Sequence, residues 1–269
     1  MTYFTDNKNL RSLDLYNKGL GRIPKSVWQL SNLEWLNLAD NSLTSLSEEI
    51  GNLINLTMLD LGHNKLLSLP DSLSKLIKLK FLYLSNNKLR SIPQFLGELK
   101  TLIYLNLTDN QLSSLPDNIG NLTKLIEFRM YNNRLSSLAS SIGNLVNLRE
   151  LHAMNNKLTS LPESVGKLHN LKKLMLEGNR IESLPDSLGE AKSLTDLDLR
   201  NNRVTSLPAS LGDLRGLRFL DLRANKLSSL PESIAKLQNL EKLDLRWNKS
   251  LSTPKWIAQL ERRGCIVYT

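Results

Sequence analysis

Apolar and polar positions follow one short pattern repeated along the chain. Aligned on the first leucine of a Leu-x-x-Leu-x-Leu core, the units begin at Leu10, Leu33, Leu56, Leu79, Leu102, Leu125, Leu148, Leu171, Leu194, Leu217 and Leu240, each 23 residues after the last. Such fixed self-similarity marks a repeat architecture. Within each core apolar and polar residues alternate, the two-residue period of a strand with one buried face. A unit this short cannot bury its own apolar face, so neighbours must stack. Stacked strands lie parallel at about 4.8 Å, so eleven would line the inner curve of a solenoid with a sheet on the order of 50 Å long.

Other columns keep the same register. Eight residues after each first leucine stands asparagine in ten units, Asn41 to Asn248, with Lys18 in the first. An amide both donates and accepts, so a stack of them can satisfy the backbone where each strand turns outward. Serine fills the column two places before the prolines in ten of eleven units and is expected to do the same more weakly. All nine prolines share one column, Pro24 to Pro254. Proline suits the first position of a helix, and the glycine that commonly follows four residues later keeps any helix short. The outer face should therefore carry 3₁₀ or single-turn segments. Ser47 and Ala139 replace the proline and predict local irregularity in units two and six, and Ala191, in place of a core leucine, predicts thinner packing. Pro254–Arg263 reads as a helix, and the Cys-Ile-Val-Tyr that ends at Tyr268 reads as a last strand covering the C-terminal edge. The expected organisation is one domain: an N-terminal cap at 1–9, eleven repeats at 10–262 and a C-terminal capping strand at 263–269.

Segments such as LTMLDLGHNKLLSLPDSLSKLIK resemble the 23-residue leucine-rich repeat, and the resemblance covers more than nine tenths of the chain. The LPxSIGxLxxL half is similar to the intracellular group that includes Ras-associated and Scribble-type scaffold repeats, and to many bacterial repeat proteins. The ending PKWIAQLERRGCIVYT resembles the closing segment of bacterial members. The resemblance implies an α/β leucine-rich-repeat solenoid, a horseshoe with a parallel β-sheet on its concave face and 3₁₀ or short helical segments on its convex face. It implies no particular chemistry, because function lives in sites rather than folds.

Composition narrows the picture further. The 269 residues are 41% hydrophobic and 23% charged, too apolar for wholesale disorder. No apolar stretch approaches the roughly 18 residues of a membrane span, and MTYFTDNKN has no signal-peptide pattern. One cysteine, Cys265, excludes a disulfide framework and is expected to be buried and inert. His63, His152 and His169 lie in different units, the first two roughly 19 Å apart at strand spacing, so they cannot share a metal. The serines stand in columns without an adjacent base, and no phosphate-binding or zinc motif occurs. No catalytic residue, cofactor or metal is expected. The sequons at Asn55, Asn106, Asn121 and Asn248 are a coincidence of an Asn/Ser/Thr-rich repeat.

With core positions fixed, the informative residues face outward from the strands. Two places after the first leucine stand Trp35, Met58, Phe81 and Tyr104 in consecutive units; four places after it stand Tyr83, Arg129, His152 and Met175; six places after it stand Tyr16, Tyr131 and Met154. Seven of fifteen aromatics occupy these three columns, Phe219 included. Soluble proteins seldom leave so much contiguous apolar surface without a partner, and Tyr, Trp, Met and Arg are enriched at interfaces. Cross-strand packing that shields the sheet is the alternative. In units nine to eleven Asp198, Asp221 and Asp244 stand beside Arg200, Arg223 and Arg246, reading as a solvated, self-neutralising lattice or as a charged-ligand site; the arginines argue against calcium. Lysine or arginine follows the ladder asparagine in eight units, a basic rim that fits a net charge of +9. The aromatics do not interleave with it as a nucleic-acid platform requires.

These observations predict a non-enzymatic, monomeric, cytoplasmic module that binds a protein partner, not nucleic acid, through its concave face. The expected contacts are Tyr16, Trp35, Met58, Phe81, Tyr83, Tyr104, Arg129, Tyr131, His152, Met154 and Met175. A scaffold of small-GTPase signalling, or a bacterial effector or surface protein engaging host molecules, are the alternatives that the resemblance implies.

Overall fold

The computed structural model describes residues 9–269, in two compact units, one ending at Asn133 and the other beginning at Arg134. Apart from Asn9, the expected N-terminal cap lies outside the described residues. In the first unit six three-residue strands pair in parallel and in sequence order: β1 (Ser12–Asp14), β2 (Trp35–Asn37), β3 (Met58–Asp60), β4 (Phe81–Tyr83), β5 (Tyr104–Asn106) and β6 (Glu127–Arg129). The second unit repeats the arrangement with β7 (Glu150–His152), β8 (Lys173–Met175), β9 (Asp196–Asp198), β10 (Phe219–Asp221), β11 (Lys242–Asp244) and β12 (Ile266–Tyr268). Each repeat before the last thus opens with a strand and continues into a 3₁₀ turn, the alternation that the resemblance to leucine-rich repeats implies.

The middle residue of each strand points inward, and the leucine columns are sealed: Leu36, Leu59, Leu82 and Leu105 are fully buried, as are Phe128 and Met130, which take leucine positions. Ala191 too is fully buried. Five-residue 3₁₀ turns recur from Lys25–Gln29 to Asp117–Asn121 in the first unit and from Ser140–Asn144 to Glu232–Lys236 in the second. The proline stands one place before each turn rather than inside it. Pro162 is extended (φ −71°, ψ 150°), and its carbonyl accepts from the Val165 amide at 3.0 Å. Units two and six are regular, contrary to expectation. Ser47 (φ −69°, ψ 146°) and Ala139 (φ −60°, ψ 141°) hold the proline conformation, which any residue can adopt, and the Ser47 hydroxyl accepts from the Glu49 amide.

The asparagine ladder is present and buried. Asn87 donates to the carbonyls of Leu61, Leu84 and Ser85 at 2.9 to 3.2 Å and accepts from the Leu66 amide at 2.9 Å, so one side chain joins neighbouring repeats. The serine column does not share this work. Ser68, Ser114, Ser160 and Ser206 are all exposed, because their column faces water beyond the turn of the chain. Two further columns carry structure that the pattern reading missed. Asn55, Asn170 and Asn239 donate to the carbonyls of Ser31, Val146 and Arg215 at 2.8 to 2.9 Å, a partial second ladder ahead of the strands. The residue before the ladder asparagine is left-handed throughout, from Asn17 (φ 50°) to Trp247 (φ 64°), with Gly178 among them. Asparagine and aspartate dominate that column because they tolerate the conformation best.

At the C-terminus the expected helix is shorter, α1 spanning Ile257–Arg262, and β12 adds in parallel to β11 as expected. Cys265 is buried between them.

Candidate recognition surface

On the first unit the residues flanking each inward leucine project from the strand-side face. Trp35, Met58, Phe81 and Tyr104 lie directly opposite one another across β2 to β5. Phe81 is 37% exposed and Tyr16 51%, whereas Trp35, Met58, Tyr83, Tyr104 and Tyr131 are half-buried. Part of this burial is mutual: the Tyr83 and Tyr104 rings pack tilted with centroids 4.9 Å apart, and the Arg129 guanidinium lies 5.9 Å from the Tyr104 centroid. Arg129 is also ion-paired with Glu127 on the same strand. Burial pushes both tyrosine hydroxyls above their ordinary range. The stacked rings thus both stabilise the sheet and present apolar faces.

On the second unit Glu150 bonds His152 Nε2 and Lys173 Nζ, each at 3.0 Å. Burial works against its charge, but these two partners outweigh it and hold the carboxyl below the usual range. Met154 and Met175 are half-buried, and Met175 lines a shallow pocket of about 250 Å³ with Asp198, Arg200, Phe219, Asp221 and Lys242.

The aspartate–arginine lattice beside this pocket is not solvated as expected. Asp244 is fully buried and Asp198 only 6% exposed. Arg200 reaches Asp198 at 2.7 Å and Glu177 at 2.6 Å; Arg223 reaches Asp221 at 2.7 Å and Asp244 at 3.4 Å; Arg246 reaches Asp244 at 2.6 Å. Each arginine folds back over the aspartate two residues earlier, shielding it from water. Desolvation opposes the Asp244 charge, but hydrogen bonds from Arg246 and the nearby Arg223 hold its carboxyl below the usual range. The guanidinia are occupied internally, and Arg246 also lies 4.7 Å from the Tyr268 ring centroid. Trp247 escaped the sequence reading because it is not in a strand-face column. It is 67% exposed, left-handed, and within 6 Å of the Arg223 and Arg246 guanidinia.

The remaining chemistry-bearing residues are spread out. His63 Nδ1 meets the Asn86 amide at 2.9 Å, and His169 Nδ1 meets the Glu190 carbonyl at 3.3 Å, both exposed. Burial pushes the Cys265 thiol up, away from the reactive thiolate. No helix among the described residues is long and apolar enough to cross a membrane.

With these features in place, comparison with known proteins gives the class. The chain matches the description "Leucine-rich repeat region" over residues 1–102 and 70–161, and "Leucine rich repeat" over 146–204 and 192–249. It belongs to the leucine-rich repeat family. Among solved structures it is similar to a leucine-rich-repeat protein of Leptospira interrogans (28% identity, TM-score 0.70, covering 97% of this chain and 84% of that one). It is similar to the plant peptide hormone receptor RGFR1, solved in complex with RGF2 (31% identity, TM-score 0.74, 89% of this chain and 44% of that one). It also resembles the functional domain of InlJ from Listeria monocytogenes (26% identity, TM-score 0.76, 90% and 52%). The chain therefore spans less than half of the plant receptor and about half of the Listeria domain. No curated protein sequence matches it.

Proposed function

We propose that this protein is a non-enzymatic recognition module that binds a protein partner through its strand-side face. Trp35, Met58, Phe81, Tyr83 and Tyr104 of the first unit are the anchors, with Tyr16, Arg129 and Tyr131 beside them. His152, Met154 and Met175 offer mixed contacts on the second unit. The observation that carries this reading is the register: four large side chains stand opposite one another on successive strands, each still open to water. Contiguous apolar surface of this kind marks interaction sites, and aromatic anchors dominate binding energy where they occur. The family supports the same reading, since the similar plant receptor is complexed with RGF2. A standard interface needs about 800 Å² from each partner.

The test is a Trp35→Ala/Phe81→Ala double variant compared with wild type in affinity capture from a native lysate. Wild type should retain a partner that the variant loses, while the melting temperature falls by no more than about 5 °C. Unchanged capture, or a collapse of stability, would show that the rings serve the sheet alone.

A further inference from the structure

We propose that the strand-side face of the first unit receives a cationic side chain, a lysine or arginine on an extended segment of the partner, with Asp60 as counter-ion and the neighbouring rings as walls. This rests on the recognition reading above and specifies the ligand for it.

The charge distribution comes first. The chain carries a net +9, yet the three outward columns of β1 to β5 hold two carboxylates, Asp14 and Asp60, and no lysine or arginine. The first basic residue in those columns is Arg129 on β6. Within an otherwise basic protein this face is complementary to a cation.

Asp60 itself sits where a fold would not place a charge for its own sake. In register it lies between Asn37 and Tyr83, two residues from Met58, and it is half-buried. One of its oxygens accepts from the Gly62 amide at 2.8 Å. That backbone duty needs no charge: Asn37 performs it for Ala39 and Asn106 for Thr108, each at 3.0 Å. Among the described residues no lysine or arginine lies within ion-pair distance of Asp60, whereas Asp198, Asp221 and Asp244 are each clasped by an arginine. Burial pushes the Asp60 carboxyl above its ordinary range, although Gly62 and His63 pull the other way. The charge therefore costs stability in the free protein and gains a partner only when a cation arrives.

The surroundings fit such a visitor. On the far side of Asp60 the next column holds short residues, Ala39, Gly62 and Ser85, where other repeats carry Tyr131, Met154 or Arg200. Even a Cβ at Gly62 would stand 3.1 Å from the Asp60 oxygen, so the missing side chain leaves the carboxylate approachable. Tyr83 stands beside Asp60 on β4, and Trp35 and Phe81 stand on the flanking strands one column away, aromatic rings of the kind that attract an ammonium or guanidinium. Apolar side chains flanking the cation would then meet Trp35 and Tyr104.

The experiment titrates the full chain with Ac-Leu-Arg-Leu-NH₂, Ac-Leu-Lys-Leu-NH₂ and Ac-Leu-Gln-Leu-NH₂, reading the Trp35 indole and Asp60 carboxyl resonances. The cationic peptides should bind about tenfold tighter than the neutral one, and Asp60→Asn should bring all three to the same affinity. Equal binding in wild type, or a preference that survives Asp60→Asn, overturns the counter-ion proposal while leaving apolar recognition standing. If no peptide moves Trp35 the proposal also falls, and the double-alanine capture then decides the broader reading independently.

Discussion

Gly166 lies directly beneath Ser187: a Cβ added to the glycine would stand 2.3 Å from the serine carbonyl oxygen and 3.0 Å from its Cβ. The same approach recurs for Gly189 with Ser210 and Gly212 with Ser233. Where the fourth residue of a turn is glycine, the next turn can approach this closely only because no side chain intervenes; Trp28 and Ser74 hold that place in the turns Lys25–Gln29 and Asp71–Lys75. Ala235 takes that place in the last turn, which α1 follows instead of another 3₁₀ turn, and its carbonyl accepts from Arg263 at 2.7 Å.

The first prediction is that Gly166→Ala destabilises the protein by about 2 kcal/mol, the usual cost of forcing an atom into a packed contact. Equilibrium urea denaturation measures it. A loss under about 0.5 kcal/mol would mean that the turns part easily and that the glycine column has another cause.

The left-handed column predicts a gain. Ala224 holds φ 52° where five other repeats use asparagine, and a non-glycine residue without a local polar side chain pays for that conformation. Ala224→Asn should stabilise the fold by about 0.5 to 1 kcal/mol, raising the melting temperature by about 1 to 4 °C. A neutral or lower melting temperature would refute the account.

Two aspartates of opposite character predict opposite pH behaviour. Asp60 has a folded-state pKa above the reference of 3.8, so between that reference and the folded value the native state binds more protons than the unfolded chain. Its penalty is complete above the folded value and fades as pH falls toward 3.8. Asp60→Asn should therefore stabilise at pH 7, with the advantage vanishing in acid. Asp244 is held below 3.8, so its contribution is complete above 3.8 and is lost as pH falls through the folded value. Asp244→Asn should destabilise at pH 7 by at least about 2 kcal/mol, because it strips two arginines of a buried partner. Thermal melts of both variants from pH 7 to pH 3 check the pair, and curves displaced in the same direction would contradict it.

Much of the fold was legible because the 23-residue period fixes which side chains can be inward. Leu59 and Asn87 are buried for reasons visible in a single repeat. The outer turns were legible from Pro-x-Ser and Gly, but the irregularity expected at Ser47 and Ala139 was not found, since extended backbone does not need proline's ring. The serine column misled because a hydroxyl's reach depends on which way the chain turns, which periodicity does not encode. The strand-face residues could be placed from alternation alone. The depth of Asp244 could not: it depends on Arg246 folding back across the strand, a rotamer choice that no spacing reveals. Asp60 passed unnoticed for a related reason, since its isolation emerges only once the neighbours on β2 and β4 are identified.

On β2 to β5 the middle residue of each strand is sealed in the leucine core while its two strand neighbours remain open to water. Side chains on the outer positions of β2 to β5 can thus be exchanged without disturbing Leu36, Leu59, Leu82 or Leu105. Such a separation lets binding preference drift, or be redesigned, while the leucine core stays as it is, at a cost limited to the contacts among the outer rings.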